Sequence, residues 1–266
     1  MTADSSLAGR IASPRNPRLQ QARKLTKRAE RDRRERFLVE GPLVVLEALR
    51  ARAGVTDVFV TDPVRHTEVV RAGAAAGANI WDVSPEAMRS LSTTVTPQGV
   101  VAVSRIPTIS LEDLKAADPA LVLADVRDPG NAGTLLRSAV GAGAAAVVFA
   151  GNSVDPLHPK VVRASAGAVF STTVVRTTSI ENCASRLRAL GLELVAAFPK
   201  APVAVDHADL RRPVAVVVGN EAWGLPDDVL AVVDTTVSIP MPGPLESLNV
   251  AVAGSILLYE IARQRR

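Results

Sequence analysis

The chain has 266 residues, 47% of them apolar and 22% charged, with one cysteine, Cys183, and three histidines, His66, His158 and His207. Its length exceeds the usual single-domain mode of about 100 to 150 residues and predicts two domains, each with its own core. A lone cysteine excludes an internal disulfide framework, the scattered histidines lack zinc-ligand spacing, and no uncharged apolar run, Leu248 to Tyr259 included, reaches the roughly 20 residues of a membrane span. With no apolar leader at the front, the expected address is a reducing cytoplasm, without metal or membrane.

The net charge of +4 is unevenly placed: residues 1–107 hold 17 Lys and Arg against 11 Asp and Glu, and residues 108–266 hold 14 against 16. Most of the excess lies in a run from Arg10 to Arg36, where eleven basic residues face only Glu30, Asp32 and Glu35. So dense a run repels itself unless it meets a polyanion. A solvated, fraying helix is the plainer alternative, but phosphate contact fits the charge better, since neutralised phosphates release counterions and give affinity without sequence information. Arg15, Arg18, Arg23, Lys24, Lys27 and Arg28 are the candidate contacts.

Behind this run, residues 41–50 read as a helix, 55–61 as a strand, 63–77 as a helix, 79–83 as a strand, 84–92 as a short helix and 98–105 as a strand. Alternation of this kind predicts a small α/β domain over residues 1–107. Residues 106–119, with Pro107 and Pro119 at their ends, form a connector. The second domain, residues 108–266, alternates again. Strands are predicted over 120–126, 145–151, 168–175, 192–199, 213–219 and 235–240. Helices are predicted over 132–143, 158–167, 179–190, 226–233 and 247–266. Its strands are continuous Val, Ala and Leu runs, so both faces should be covered, as in a doubly wound parallel sheet.

Ligands of such sheets bind beyond the carboxyl ends of the strands. Three segments there carry polar residues among glycines and prolines. The first, DVRDPGNAGTLLR from Asp125 to Arg137, ends a strand in a Pro-Gly turn and opens a helix that Asn131 can cap, with Arg137 one to two turns in. The second, VVVGNEAWGLP, stops a buried strand at Gly219, where bare backbone leaves room for a ligand, and places Glu221 at the edge. The third, IPMPGPLESLN from Ile239 to Asn249, is stiffened by three prolines, with Ser247 a candidate cap for the last helix. Taken singly, each also fits an ordinary capped helix or turn.

Together the three segments resemble the signature motifs of the SpoU (TrmH-like) RNA ribose methyltransferases. The likeness rests on N-x-G-x-x-x-R, GNEAWGLP and IPMPGPLESLNVAVAGSILLYE, in that order and spacing. More loosely, NPRLQQARKL and RFLVEGPLVVLEAL resemble the attached substrate-binding domain, a fold akin to a small ribosomal protein. The resemblance implies a deep trefoil knot in the second domain, S-adenosylmethionine held by backbone at Gly219, Ile239, Met241 and Leu248, and methylation of a ribose 2′-hydroxyl. It carries the catalytic positions onto Asn131, Arg137, Glu221, Ser247 and Asn249. Because a guanidinium does not readily give up its proton, Arg137 is read as stabilising charge on the attacking oxygen, held by Glu221 and Asn249. The resemblance further implies a homodimer in which one subunit completes the other's site, and an RNA partner, ribosomal in preference to transfer RNA. A catalytically silent RNA-binding protein of the same fold, a base methyltransferase and a role in antibiotic resistance stay open at this point.

Overall fold

The computed structural model describes residues 7–107, 109–115, 118–220, 223–244 and 247–266. The chain divides into two compact units, Met1–Thr108 with Leu157–Phe170, and Ile109–Pro156 with Ser171–Arg266. The sequence places one boundary near residue 107; the segment Leu157–Phe170 additionally groups with the first unit.

The first unit runs β1 (Leu7–Ile11), α1 (Pro17–Lys24), α2 (Arg28–Arg34), β2 (Arg36–Glu40), α3 (Pro42–Arg50), β3 (Val55–Val60), α4 (Thr67–Ala75), β4 (Asn79–Val83), α5 (Pro85–Leu91) and β5 (Val100–Arg105). The sheet order is β1-β4-β3-β5-β2, with β5 antiparallel to β3 and β2 and the other pairs parallel. Two of these strands lie where no strand was predicted. β1 is short and carries Arg10. β2 emerges directly from the basic run, and its last four residues are all buried, so it shows no two-residue alternation.

The basic run itself forms α1 and α2. Asn16 caps α1 by accepting from the Arg18 amide, and Pro17 follows in the first turn, where a missing N–H costs nothing. Leu19 and Ala22 turn inward onto a core with Ile11, Met88 and Leu91. Arg31 is only 1% exposed, and its guanidinium donates to the carbonyls of Leu25 and Thr26 at 2.9 Å. That arginine therefore ties off the end of α1 and is withdrawn from any surface role.

Glu40 is the other buried charge of this unit. It accepts from the hydroxyls of Ser92, Thr93 and Thr94, from the Thr93 amide at 3.1 Å and from the Arg163 guanidinium at 3.1 Å. Burial pushes its carboxyl up, but these donors outweigh burial and hold it below the ordinary glutamate value.

The second unit contains β6 (Ala120–Ala124), α6 (Pro129–Gly141) and β7 (Ala146–Ala150), after which α7 (Pro159–Ala164) packs on β2 of the first unit. It continues with β8 (Thr173–Arg176), α8 (Ile180–Ala189), β9 (Glu193–Ala197), β10 (Val214–Val218), α9 (Asp227–Ala231), β11 (Thr235–Val237) and α10 (Val250–Gln264). The strand predicted over 168–175 starts only at Thr173. Ala168–Phe170 form a 3-10 turn whose Phe170 ring stacks on Phe37 of the first unit's β2, with centroids 6.1 Å apart. Aromatic packing takes those residues out of the strand.

All neighbours in the sheet order β11-β9-β10-β6-β7-β8 are parallel. Every residue of β6, β7 and β10 is buried, because helices cover both faces. Ala120, Val122 and Ala124 face α8 and α9, while α6 and α10 pack on each other, α6 also on β6 and α10 on β10. Among the described residues, no helix is long and apolar enough to cross a membrane.

At Gly254, α10 packs closely on α6 and β10. An added Cβ would collide with Leu135 of α6 and lie 3.2 Å from Val218 Cγ1. Gly254→Val should lower unfolding free energy by about 1–3 kcal/mol in urea titrations, through overpacking. Gly141→Ala, which meets nothing within 4 Å, should be neutral or stabilising by up to about 1 kcal/mol. A second expectation follows from Glu40. A carboxyl held below its unfolded value contributes stability above that value and loses it as pH falls through the folded one. Thermal unfolding followed from about pH 7 down to about pH 3 should therefore fall more steeply below about pH 4.5 for the wild type than for Glu40→Gln.

Candidate active site

The site is built on the carboxyl edge of the parallel sheet. At the end of β6, Asp125 sits in the left-handed region at φ 58°, and its carboxylate accepts the Asn152 amide at 2.6 Å. Its backbone carbonyl accepts the side-chain amide of Asn220, at the end of β10, at 2.8 Å. The next amide, of Val126, donates to the Ser153 hydroxyl at 3.1 Å, and that hydroxyl donates to the Leu123 carbonyl at 2.8 Å. Three strand ends are thereby laced together. Gly151 has φ 64°, and a Cβ there would strike the Asp125 carboxylate, so glycine is required at this crossing.

From this rim α6 starts. Its cap is Asp128, which accepts the Asn131 amide at 2.8 Å, and not Asn131 as the sequence suggested. With Pro129 in the first turn the helix begins earlier than predicted. Asn131 is left to present its side chain, and its oxygen accepts from Asn249 Nδ2 at 3.1 Å. Asn249, rather than Ser247, caps α10, accepting the amides of Ala251 and Val252 at 2.9 and 3.3 Å. Asn249 is thus occupied as both donor and acceptor, and no bond from it to Arg137 is present. Asn249 therefore does not hold Arg137 as the resemblance implied.

Gly219, Ile239, Met241 and Leu248 meet on the wall of one cavity of about 400 Å³, together with Ser247, Lys200 and Trp223. A Cβ at Gly219 would strike the Gly224 carbonyl and lie 2.8 Å from the Leu225 nitrogen. The turn closes there because Asn220 and Gly224 exchange amide-to-carbonyl bonds of 2.7 and 3.0 Å. The loop after β11 is pinned at its entry by Ser238, which donates its amide to the Val203 carbonyl and accepts from the Val205 amide, both at 2.8 Å. Asn249 pins it at its exit.

A more open groove of about 440 Å³ lies between α6 and α10, lined by Asn131, Thr134, Asn249, Val252, Ser255 and Tyr259 among others. Val252 and Tyr259 are exposed there, and Ser255 donates to Ser138 across the helix pair at 2.7 Å. Arg137 is exposed on α6, lines neither hollow, and makes no hydrogen bond or ion pair among the described residues. Glu221 lies outside the described residues. Two further residues, absent from the sequence-derived set, pair at the rim: the Arg127 guanidinium stands 5.0 Å from the centre of the Trp223 ring. Their only sequence signal was their position inside two of the three motifs. Cys183 is buried in α8, and burial pushes its thiol up to about 12, which removes it as a nucleophile.

In the first unit Arg15, Arg18, Lys24, Lys27 and Arg28 are exposed and Arg23 is half-buried. Arg18 lies over the Trp81 ring, 4.3 Å from its centre, and Arg28 approaches Asp32 at 3.6 Å. Glu30 takes bonds from Arg33 and Arg34 at 2.8 Å, which hold its carboxyl down at about 2. Positive charge at Arg33 and Arg34 is therefore offset locally, while the six predicted contacts keep most of theirs.

A doubly wound sheet with a lined cavity at its carboxyl edge defines an α/β ligand-binding enzyme class. Residues 118–259 match the SpoU rRNA Methylase family, and residues 16–102 match the MRM3-like substrate binding domain. The chain belongs to the SpoU rRNA methylase family. It is 32% identical to 23S rRNA (guanosine(2553)-2′-O)-methyltransferase RlmP of Bacillus subtilis over 94% of this chain and 98% of that protein. The AdoMet-bound rRNA methyltransferase from Sinorhizobium meliloti superposes with a TM-score of 0.85 at 30% identity, covering 96% of this chain and 97% of that one. The SpoU methyltransferase AviRb from Streptomyces viridochromogenes, in complex with AdoMet, superposes at 0.84 with 31% identity, covering 94% and 98%.

Asp125→Ala removes the acceptor for the Asn152 amide and places alanine at φ 58°, so chemical denaturation should show a loss of about 1–3 kcal/mol. Asp125→Asn keeps an acceptor oxygen and tolerates the left-handed region, and should lose less than half as much.

Proposed function

We propose that this chain is an enzyme that transfers a methyl group from S-adenosylmethionine to a ribose 2′-hydroxyl of ribosomal RNA. The observation that carries this reading is the convergence of Gly219, Ile239, Met241 and Leu248 on one apolar cavity, beside the Asn131–Asn249 bond. The residues suit the cofactor. Its volume is in the range of small-molecule sites, and a flat purine needs an apolar slot with backbone groups at its edge, which Ile239, Leu248 and the side-chain-free Gly219 provide. When bound, S-adenosylmethionine supplies a methyl group on a positively charged sulfur.

The protein's part in such a transfer is mainly positioning. Asn249 fixes the start of α10 and holds Asn131, so the loop carrying Met241, Ser247 and Leu248 meets α6 in one register. Arg137 is assigned to stabilising charge on the 2′-oxygen and the neighbouring phosphate, as a donor that stays protonated. Its exposure on α6 without a bonding partner among the described residues supports a homodimer in which it serves the partner's cavity, with the α6–α10 groove and its exposed Val252 and Tyr259 as the contact face. A deep trefoil knot belongs to the same reading. It is supported by α10 returning from the sheet edge at β11 to pack on β10 and α6. The basic face of α1 and α2, within the segment that matches a substrate-binding domain, is assigned to RNA phosphates. The preference for ribosomal over transfer RNA is supported by that domain and by the likeness to RlmP, and a cytoplasmic address belongs to the same reading.

Mapping 2′-O-methyl positions in total RNA with and without the gene tests the proposal. One ribosomal position should lose its methyl group; a lost transfer RNA position would redirect the substrate, and an unchanged map would favour a silent RNA-binding protein. Arg137→Lys should lower the rate of methyl transfer about a hundredfold or more while calorimetric affinity for S-adenosylmethionine stays within about twofold. Full activity in that variant would remove Arg137 from the chemistry.

A further inference from the structure

Trp223 is 56% exposed on the wall of the cavity, so a face of its ring is open to a ligand. The neighbouring elements leave it uncovered on one side and give it a cationic companion, with Arg127 held 5.0 Å from the ring centre. Arg127 is itself exposed and sits on the laced rim between Asp125 and the cap of α6. The pair therefore combines a flat π face, a guanidinium beside it and a position at the mouth of the hollow that would hold the methyl donor.

We propose that Trp223 and Arg127 form the platform on which a base of the substrate RNA stacks when its ribose is presented to the cavity. This deepens the methyltransferase reading and rests on it for the identity of the strand. Single-stranded RNA is recognised by stacking its unstacked bases on aromatic rings and guanidinium planes, and every base offers a π face. The indole supplies that surface, and Arg127 is free to exchange its hold on the ring for an RNA phosphate next to the stacked base. Ring-on-base contact also explains the exposure. A tryptophan serving the core would be buried, as Phe149 of β7 is at 1%.

The experiment compares Trp223→Ala, Trp223→Leu and Trp223→Phe, all at an exposed position where folding should be unaffected. KM is measured for 23S ribosomal RNA transcribed in vitro, and affinity for S-adenosylmethionine is measured by calorimetry. The Ala and Leu variants should raise KM for RNA about tenfold, the Phe variant should recover most of the loss, and cofactor affinity, with Trp223 on the cavity wall, should fall by no more than about twofold. In parallel, because the chain has two tryptophans, Trp81→Phe leaves Trp223 as its single indole. Its emission should be quenched by a short mixed-sequence single-stranded oligoribonucleotide. Equal KM values for Trp223→Leu and wild type would overturn the proposal. So would weakened cofactor affinity without a change in KM, which makes Trp223 part of the donor pocket, or conversion of Trp223→Ala to a monomer, which makes it a subunit contact. If the wild type methylates no RNA, the function proposed above fails, and the quenching measurement alone decides the platform: quenching retains it and unchanged emission sinks it.

Discussion

The left-handed residue Asp125 is the constraint from which the site is assembled. Parallel strands end with backbone groups that the sheet no longer satisfies, and the chain must leave in a different direction from each. One aspartate serves β6, β7 and β10 at once, with its carboxylate on the Asn152 amide and its carbonyl on the Asn220 side chain. Fixing those ends fixes where α6 starts and where the turn from Gly219 to Gly224 folds back. Asn131 then stands at a set distance for Asn249 to grip, and that grip decides where α10 begins. The loop carrying Met241, Ser247 and Leu248 is consequently clamped at both ends, by Ser238 and by Asn249, and its three prolines narrow what lies between.

In the first unit, electrostatics are sorted by burial. Arg31 and Glu40 are taken inside, each against several hydrogen-bonding partners, as buried charges require. Arg33 and Arg34 share Glu30. What is left for a polyanion is a smaller set than the raw count of basic residues suggests, and it coincides with the exposed edges of α1 and α2. Counting charges in the sequence overstates that surface because nothing in the pattern of Arg28 to Arg36 marks one arginine as the helix tie.

Much of the fold was legible because its strands are uniform. A run such as Val214–Val218, with no polar residue on either face, states that helices cover both sides, and the sheet bears this out. β2 and the residues before β8 were not legible, because long-range partners decide them: α7 covers β2, and Phe37 captures Phe170. The four positions read as cofactor contacts do converge on one wall, since motif order along the chain maps onto strand ends in space. The caps were misread at Asn131 and Ser247 for one reason. Asp128 and Asn249 are equally good capping residues, and only the register set by Pro129 and by the Asn131–Asn249 bond selects between them.

On the proposed reading, Arg137 is the group that the described residues of one copy leave unaimed. A guanidinium meant to stabilise charge at a reacting oxygen has to be aimed, and aiming takes hydrogen-bonding partners or a close wall. Among the described residues Arg137 has neither, whereas the structural arginines Arg31, Arg163 and Arg265 are each held by two or more acceptors. Among the described residues, the contrast separates arginines that complete the fold from one that has no partner there. Under the proposed homodimer the outstanding contacts come from a second copy across the α6–α10 face. Catalysis would then depend on association as well as on folding, and dilution below the dimer's dissociation constant would silence the enzyme while each subunit stays folded.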